Sequence, residues 1–578
     1  MDYQATIVKW LAGQTGIGEE LIDGWMEIPP QPTLGDYAFP CFQLARTMRQ
    51  APPQIAASLA QQAADDSSLP ARVQAVGAYL NFFIDRTQYI GQVISQTLAA
   101  GANLGASDLG SGKTVIVEYS SPNIAKPFHI GHAFTTILGQ AIYRLYDRLG
   151  YKVVRMNHLG DYGTQFGKLI VANRLWGDEA ALLQEPIKEL LRVYVKFHDE
   201  AAARPELEIE AREAFQRLEA GEPTEKALWQ RFRDLSIKEF DSVYQRLGIE
   251  FDNSNGESFY SDQIPAVVSL LKEKGLIVES NGAQVVMLDE YNLPPCIILK
   301  SDGTTIYASR DIAAVLYRIA TYHFFKNIYV VGNPQALHFQ QVFAVLEKAG
   351  IAEAAACKHV GFGLVKFPDR KLSTRAGDMI FLADLLSESV DKTLEIIRQN
   401  AQLRGTDMLE VEMRDVAEKI GLGAVVYTFL KNGRERDIVF SWEEMLDFDG
   451  DSAPYVQYTY ARARSILRKA GETDCQAAAS LDAAALSVLT HDDEFALAKL
   501  LDGFGDAVQK AAEAYEPFIL VRQVTLLART FNKYYNSESI LGTADKTVRQ
   551  ARLALLQAVC LGIRTGLDLA GITAVERM

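Results

Sequence analysis

The stretch 113-KTVIVEYSSPNIAKPFHIGHAFTTILGQAIYRLYDRLGYKVVRMN-157 leaves the chain little freedom of fold. The apolar run 114-TVIVEY-119 predicts a strand, Ser121-Pro122-Asn123 interrupts it, a helical pattern fills about 130–149, and 152-KVVRMN-157 predicts a second strand. Strand, crossover helix, strand is the pattern of a parallel sheet with covered faces. Further strand candidates at 284-QVVML-288, 296-CIILK-300 and 327-NIYVV-331, with helices at about 309–323 and 335–349, continue the alternation. A charged helical stretch at about 178–247 interrupts it as an insertion.

Around this α/β core, residues 1 to about 85 read as α+β, with a turn at 33-TLGDYAFP-40, helices around 41–63 and a strand at 79-YLNFFID-85. A Gly/Ser-rich linker, 101-GANLGASDLGSG-112, follows. The chain becomes mostly helical up to about 450 and all-helical from 451 onward. Five widely spaced cysteines without a C-x-x-C pair argue against a disulfide framework or a thiolate zinc ribbon. A net charge of −15 argues against nonspecific coating of nucleic acid. From Asp451 onward, however, 14 Lys and Arg face 15 Asp and Glu, so only −1 of that excess lies there. The start MDYQATIVKWLAGQTG lacks a basic n-region and a cleavage site, and no uninterrupted apolar segment of spanning length is found. The expectation is a cytoplasmic chain without a membrane partner.

The turn 121-SPNIAKPFHIGH-132 leads from a strand to a helix N-terminus, where free backbone N–H groups and the helix dipole favour a polyphosphate. His129 and His132, three residues apart, would share a face and could donate to phosphate oxygens, and Gly131 would let something flat approach. Capping and packing are the plain alternative. No pattern such as H-E-x-x-H supplies further ligands, so no metal site is expected on the protein.

The order of these residues resembles the HIGH motif of class I aminoacyl-tRNA synthetases, and SSPNIAKPFHIGH resembles its arginyl-tRNA synthetase version. The segments 157-NHLGDYGTQFG-167, 307-YASRDIA-313 and 333-NPQALHFQQVF-343 are similar to the same family. So are 34-LGDYAFP-40 with 81-NFF-83, and 455-YVQYTYARARSI-466 with 572-ITAVERM-578. The resemblance implies a Rossmann-like catalytic domain with a parallel sheet, an α+β N-terminal domain and an all-α C-terminal domain. It implies ATP-dependent activation of L-arginine to arginyl-adenylate and transfer to the 3′ end of tRNA(Arg). Mg²⁺ accompanies ATP, and the family is usually monomeric. The expected divisions are 1–112 for the tRNA-contacting N-terminal domain and linker, 113–385 for the catalytic domain, 386–450 for a helical connecting region, and 451–578 for the anticodon-binding domain.

By the same resemblance Lys126, His129, His132 and Lys371 are the expected catalytic residues. ATP would meet His129, Gly131, His132, Lys371 and Ser373. The family's K-M-S-K-S loop corresponds to 371-KLSTR-375, where Thr374 replaces the second lysine. Lys126 is expected to supply the missing charge, with Arg375 as its rival. Arginine would be bound by Glu118, Asn123, Glu257, Tyr307, Asp311 and Gln335. A guanidinium calls for carboxylates, although Asp311, read as a first-turn residue after an N-cap at Ser309, could merely complement a helix dipole. Gln335 and His338 are substrate or adenosine contacts in a segment where Asn333-Pro334 departs from the family pattern. Asp161 and Gln165 either shape the pocket or serve the fold. Tyr455, Tyr458 and Arg462 are the expected tRNA contacts, stacking on bases and meeting phosphates, although helical tyrosines also build cores. Lys546, Arg549 and Arg552 read as a second basic stripe or a solvated face.

Overall fold

The computed structural model describes residues 3–578 except Pro30, Asp65, Ser67, Ser68, Pro70, Asp302, 367–379 and 405–407. The chain divides into two compact units, one gathering residues 1–102, 465–503 and 529–561, the other 103–464, 504–528 and 562–578. The helical C-terminal region contributes to both.

In the first unit, β1 (Tyr37–Pro40), β2 (Ala71–Val76) and β3 (Tyr79–Ile84) form an antiparallel sheet in the order β1-β3-β2. Helices Tyr3–Thr15 and Pro52–Ala64 help close a core that includes Ile7, Leu11, Phe39, Ile55, Leu59 and Phe82. The sequence did not announce β2, because its alternating residues are small or polar and half exposed. Helix Arg86–Ala100 is capped by Asp85, which accepts the Thr87 and Gln88 amides. Gly91 lets it approach the chain at Ala483, where a Cβ would lie 2.2 Å from a carbonyl oxygen. The expected basic stripe is largely spent inside this unit. Arg549 pairs with Asp474, while Arg552, 13% exposed, pairs with Glu494 and Glu538.

In the second unit, β4 (Thr114–Glu118), β5 (Lys152–Met156), β9 (Lys326–Val330) and β10 (Cys357–Val360) form a wholly parallel sheet, ordered β10-β9-β4-β5. Helix α1 (Ile130–Arg148) is the crossover between β4 and β5, as the pattern requires. The insertion carries four helices, the last being α2 (Pro223–Leu247). The strands expected at 284–288 and 296–300 exist but belong elsewhere. β6 (Ile277–Ser280), β7 (Ala283–Val286) and β8 (Cys296–Leu299) form a separate antiparallel sheet. The cause is the Asn281-Gly282 turn, whose positive φ angles of 49° and 78° suit a tight hairpin and not a crossover. The parallel sheet takes its fourth strand from 357-CKHV-360, too short and mixed to stand out in the sequence.

Helices α3 (Tyr307–Tyr322) and α4 (Ala336–Lys348) flank β9 in the chain. A two-residue parallel pair joins β11 (Val365–Lys366) to β12 (Ile438–Val439). Helices Leu382–Arg404 and Glu410–Leu430 follow β11 and precede β12 respectively, and the chain is helical from Ala453 almost to its end. There the Gln457 amide donates to the Thr573 carbonyl at 2.7 Å, and Val575 packs against Val416 and Ile420. Helix Lys546–Ala570 is long and apolar enough to cross a bilayer, although Arg549, Arg552, Arg564 and Asp568 interrupt its apolar run. It is a core helix here, with 78% of its most apolar window buried.

Candidate active site

The residues after β4 concentrate backbone strain. Ser120, Ser121 and Ala125 have φ angles of 68°, 45° and 59°, left-handed conformations costly for residues with a Cβ. Each is held by a hydrogen bond from another element. Ser120 N–H donates to Thr135 Oγ1 at 3.1 Å, Ser121 N–H to Asn157 Oδ1 at 3.1 Å, and Ala125 N–H to Ser236 Oγ at 2.9 Å. Thr136 Oγ1 donates to Ser120 Oγ, which lies 2.7 Å from the Tyr244 hydroxyl. Two of these braces, Ser236 and Tyr244, lie on α2, so the insertion supports the turn. Asn123 bridges Gly160, where a Cβ would sit 2.3 Å from Asn123 Oδ1.

His129 is the N-cap of α1. Its Nδ1 accepts the Gly131 amide at 3.0 Å, and His132 Nδ1 accepts the His129 amide at 3.3 Å. The ring centroids are 4.1 Å apart. With both Nδ1 atoms accepting, each neutral ring carries its proton on Nε2. Burial pushes His132 down to about 3, helped by His129 and Lys126, and burial followed by Lys126 lowers His129. Both rings are therefore neutral donors at physiological pH. A Cβ on Gly131 would meet the His129 ring at 2.7 Å, so this glycine makes room for the histidine itself. Lys126, beside the strained Ala125, is exposed. Ile130 N–H donates to the Ile380 carbonyl at 3.1 Å and Leu382 N–H to that of Phe128 at 2.8 Å. The chain leaving 367–379 is thereby fastened beside His129. Lys371, Ser373, Thr374 and Arg375 lie outside the described residues.

Acidic groups gather around α3. Its N-cap is Ile306; Ser309 sits two residues inside the helix and accepts the Ile306 amide at 3.2 Å. Asp311 therefore falls in the second turn, too deep for the dipole explanation. Its Oδ2 lies 2.5 Å from His338 Nε2 on α4. Burial opposes its ionisation, but the His338 hydrogen bond and the nearby His338, His158 and Arg318 outweigh it and hold the pKa below the ordinary value. Tyr307 opens the helix and is 58% exposed. Glu257 faces Arg310 Nε at 3.3 Å, and the Arg310 guanidinium lies 5.2 Å from the Tyr307 ring and 5.7 Å from that of Tyr162. Burial pushes Glu257 up to about 8 despite Arg310, with Asp311 and Asp161 adding to the rise.

Asp161 is fully buried and accepts both the amide and the hydroxyl of Ser258 at 2.8 Å, fixing the loop that carries Glu257. The Gln165 amide donates to the Tyr162 carbonyl. Glu118 departs from a simple substrate contact: one oxygen pairs with Arg318, which is fully buried on α3. Burial disfavours the Arg318 charge, yet Glu118 leads the neighbours that hold its pKa above that of free arginine. Gln335 is exposed, at the end of the 3-10 turn before α4.

On helix Ala453–Ala470, Tyr455, Tyr458 and Arg462 are half-buried, with the Arg462 guanidinium 4.7 Å from the Tyr458 ring. Tyr460 is core, donating to Glu576. Sequence reasoning missed Arg318, Arg310, Ser236 and Tyr244. Arg318 had a signal, since a cation next to the apolar stripe of Val315 and Ile319 needs a buried acid.

A parallel sheet whose first strand runs through this strained turn into paired histidines at a helix start defines a class I aminoacyl-tRNA synthetase catalytic domain. Residues 93–442 match the family "tRNA synthetases class I (R), catalytic domain", 456–578 match the "DALR anticodon binding domain", and 1–84 match the "Arginyl tRNA synthetase N terminal domain". The chain is 54% identical over 579 aligned residues to "Arginine--tRNA ligase" of Clostridium botulinum strain 657, covering all of both chains, and 52% identical over the same length to that of Clostridium beijerinckii. It resembles the solved Thermus thermophilus arginyl-tRNA synthetase with a TM-score of 0.80 at 26% identity, covering 100% of this chain and 99% of the other. The chain belongs to the arginyl-tRNA synthetase family. Its reaction is the ATP-dependent activation of L-arginine and transfer of the arginyl group to tRNA(Arg), releasing AMP and pyrophosphate.

Proposed function

We propose that the strained turn and α1 form the nucleotide half of the active site and that the acids around α3 form the arginine half. Activation needs no covalent protein intermediate. The arginine carboxylate attacks the α-phosphate of ATP, pyrophosphate leaves, and the protein aligns the reactants and stabilises the spreading negative charge. The observation that carries this assignment is the pair of fixed, neutral Nε2–H donors on His129 and His132 at a helix N-terminus. Lys126 adds a positive charge from the turn, and Lys371 and Ser373 act from the segment 371-KLSTR-375, with Arg375 the rival of Lys126. Mg²⁺ enters with ATP as part of the nucleotide substrate.

Asn123 and Glu118 meet the α-carboxylate and α-ammonium ends of arginine. Asp311, held by His338, reads the guanidinium with Tyr307 and Glu257, and Gln335 contacts arginine as well. Tyr455, Tyr458 and Arg462 contact tRNA from the domain at 451–578, the domain at 1–112 contacts tRNA elsewhere, and 386–450 connects the catalytic and anticodon domains. The enzyme acts in the cytoplasm as a monomer. The decisive experiment is ATP–pyrophosphate exchange with each of the twenty amino acids, with and without tRNA. Exchange confined to arginine and dependent on tRNA supports the assignment. Exchange with another amino acid means the acids around α3 have been misread.

A further inference from the structure

Helix α3 carries two groups that bear on opposite ends of the substrate. Asp311 and Arg318 are seven residues apart, so they share a face about 10 Å apart along the axis. Each belongs to an acid–base pair reaching another element, Asp311 to His338 on α4 and Arg318 to Glu118 at the end of β4. Each pair engages one carboxylate oxygen, and among the described residues Glu118 Oε1 and Asp311 Oδ1 make no hydrogen bond. Arg318 is 0% exposed, and its Nε and Nη1 are buried without hydrogen-bond partners. The side chain therefore has no access to bulk solvent, and its ion partner is Glu118. A buried guanidinium with one acid partner fixes where that acid can be.

We infer that Arg318 is a positioning residue for specificity: it ties Glu118 to the same rigid helix as Asp311, so that α3 gauges the distance between the α-ammonium and the guanidinium of the substrate. This rests on the assignment of Glu118 to the ammonium and Asp311 to the guanidinium. Carboxylates alone would accept any cationic side chain long enough to reach them. Two carboxylates indexed to one helix favour arginine over its one-methylene homologue, because a helix does not stretch and a β-strand end pinned by a buried ion pair does not yield.

The test measures inhibition of arginine-dependent ATP–pyrophosphate exchange, with tRNA present, by L-homoarginine and by 5-guanidinopentanoic acid, which lacks the α-ammonium. The full-length wild type is compared with Arg318→Met, Arg318→Lys and Glu118→Gln. Wild-type discrimination against the extra methylene should be of the order of tenfold or more. In Arg318→Met it should collapse to about twofold, with KM for arginine raised more than kcat is lowered, while the Ki of the des-amino acid stays within about twofold. Arg318→Lys, which keeps the charge and loses the fork, should fall between.

A folded Arg318→Met enzyme with wild-type selectivity, alongside a Glu118→Gln enzyme that loses its preference for arginine over the des-amino acid, would overturn the inference and leave the assignment standing. If Glu118→Gln keeps that preference, the assignment of Glu118 fails and the inference falls with it. Should Arg318→Met not fold, Arg318→Lys decides: narrowed selectivity supports the gauge, and unchanged selectivity refutes it.

Discussion

His132 Nδ1 accepts the backbone N–H of His129, the residue whose own Nδ1 accepts the Gly131 amide, so each ring is turned by the backbone around the other. The arrangement fixes tautomer and charge together. In a sample with labelled histidines, both rings should show Nε2–H, and His132 should not titrate between pH 5 and 8, given its pKa near 3. A His132 signal with a midpoint near 6.5 would remove the neutral-donor account.

Gly131 gives a second check. A Cβ there would lie 2.7 Å from His129 Cε1. Gly131→Ala should displace that ring and lower the exchange rate about a hundredfold, the scale of a 1 Å misplacement, with little change in melting temperature. Wild-type kcat in this variant would mean that His129 need not hold its observed place.

The roles of Lys126 and Arg375 can be separated. Lys126→Ala should lower kcat for exchange by about a hundredfold or more, the cost of losing a donor to developing phosphate charge, without weakening tRNA binding. Arg375→Ala should cost less than tenfold on the same scale. The reverse ranking would assign the compensating charge to Arg375.

Glu257 should make arginine binding release protons. Its carboxyl, raised to about 8 from an ordinary 4.5, is largely protonated in the free enzyme at pH 7, and a bound guanidinium would favour the ionised form. Calorimetry in buffers of different ionisation enthalpy should find up to about one proton released per arginine at pH 7, fading by pH 9. For stability the sign is opposite to that of a paired carboxylate. The folded state holds the proton that the unfolded state has lost, so this contribution is fully present below about 4.5 and declines as pH rises to about 8. Glu257→Gln should flatten that decline, and equal pH slopes for the two proteins would refute the raised pKa.

The Glu118–Arg318 pair predicts strong non-additivity. Arg318→Met alone leaves a buried carboxylate without its cation and should cost about 3–5 kcal/mol in denaturant unfolding, whereas Glu118→Gln with Arg318→Met should recover much of it. Additive losses would mean that the two side chains do not depend on each other.

Much of this architecture was legible because the signals were local. The strand, turn and crossover helix at 114–157 follow from periodicity and a proline, and the histidine pair from spacing. The strands at 284–288 and 296–300 were visible but their sheet was not, because pairing depends on what a turn permits, here the Asn281-Gly282 hairpin. The three acids could be named from the chain, yet the cations that hold them, Arg310, Arg318 and His338, become meaningful only when α3 and α4 are set against the sheet. The braces on the strained turn were hidden for the same reason. Ser236 and Tyr244 lie more than a hundred residues from Ser120 and Ala125, and no periodicity connects them.

The first unit joins the earliest part of the chain to some of the latest. Helix Arg86–Ala100 presents Tyr89 to Phe495 and Asp502 as well as to Tyr3, and its Gly91 abuts Ala483, so part of that face waits for partners that lie nearly 400 residues further along the chain. At 5–20 residues per second the wait is roughly 20–80 s. The core of Ile7, Phe39, Leu59 and Phe82 contains only residues already made and can close ahead of time, but the helix beyond it cannot. On the ribosome the chain therefore carries part of one apolar helix face uncovered through that interval, and a holdase occupying it would be released by the emergence of residues 483–502.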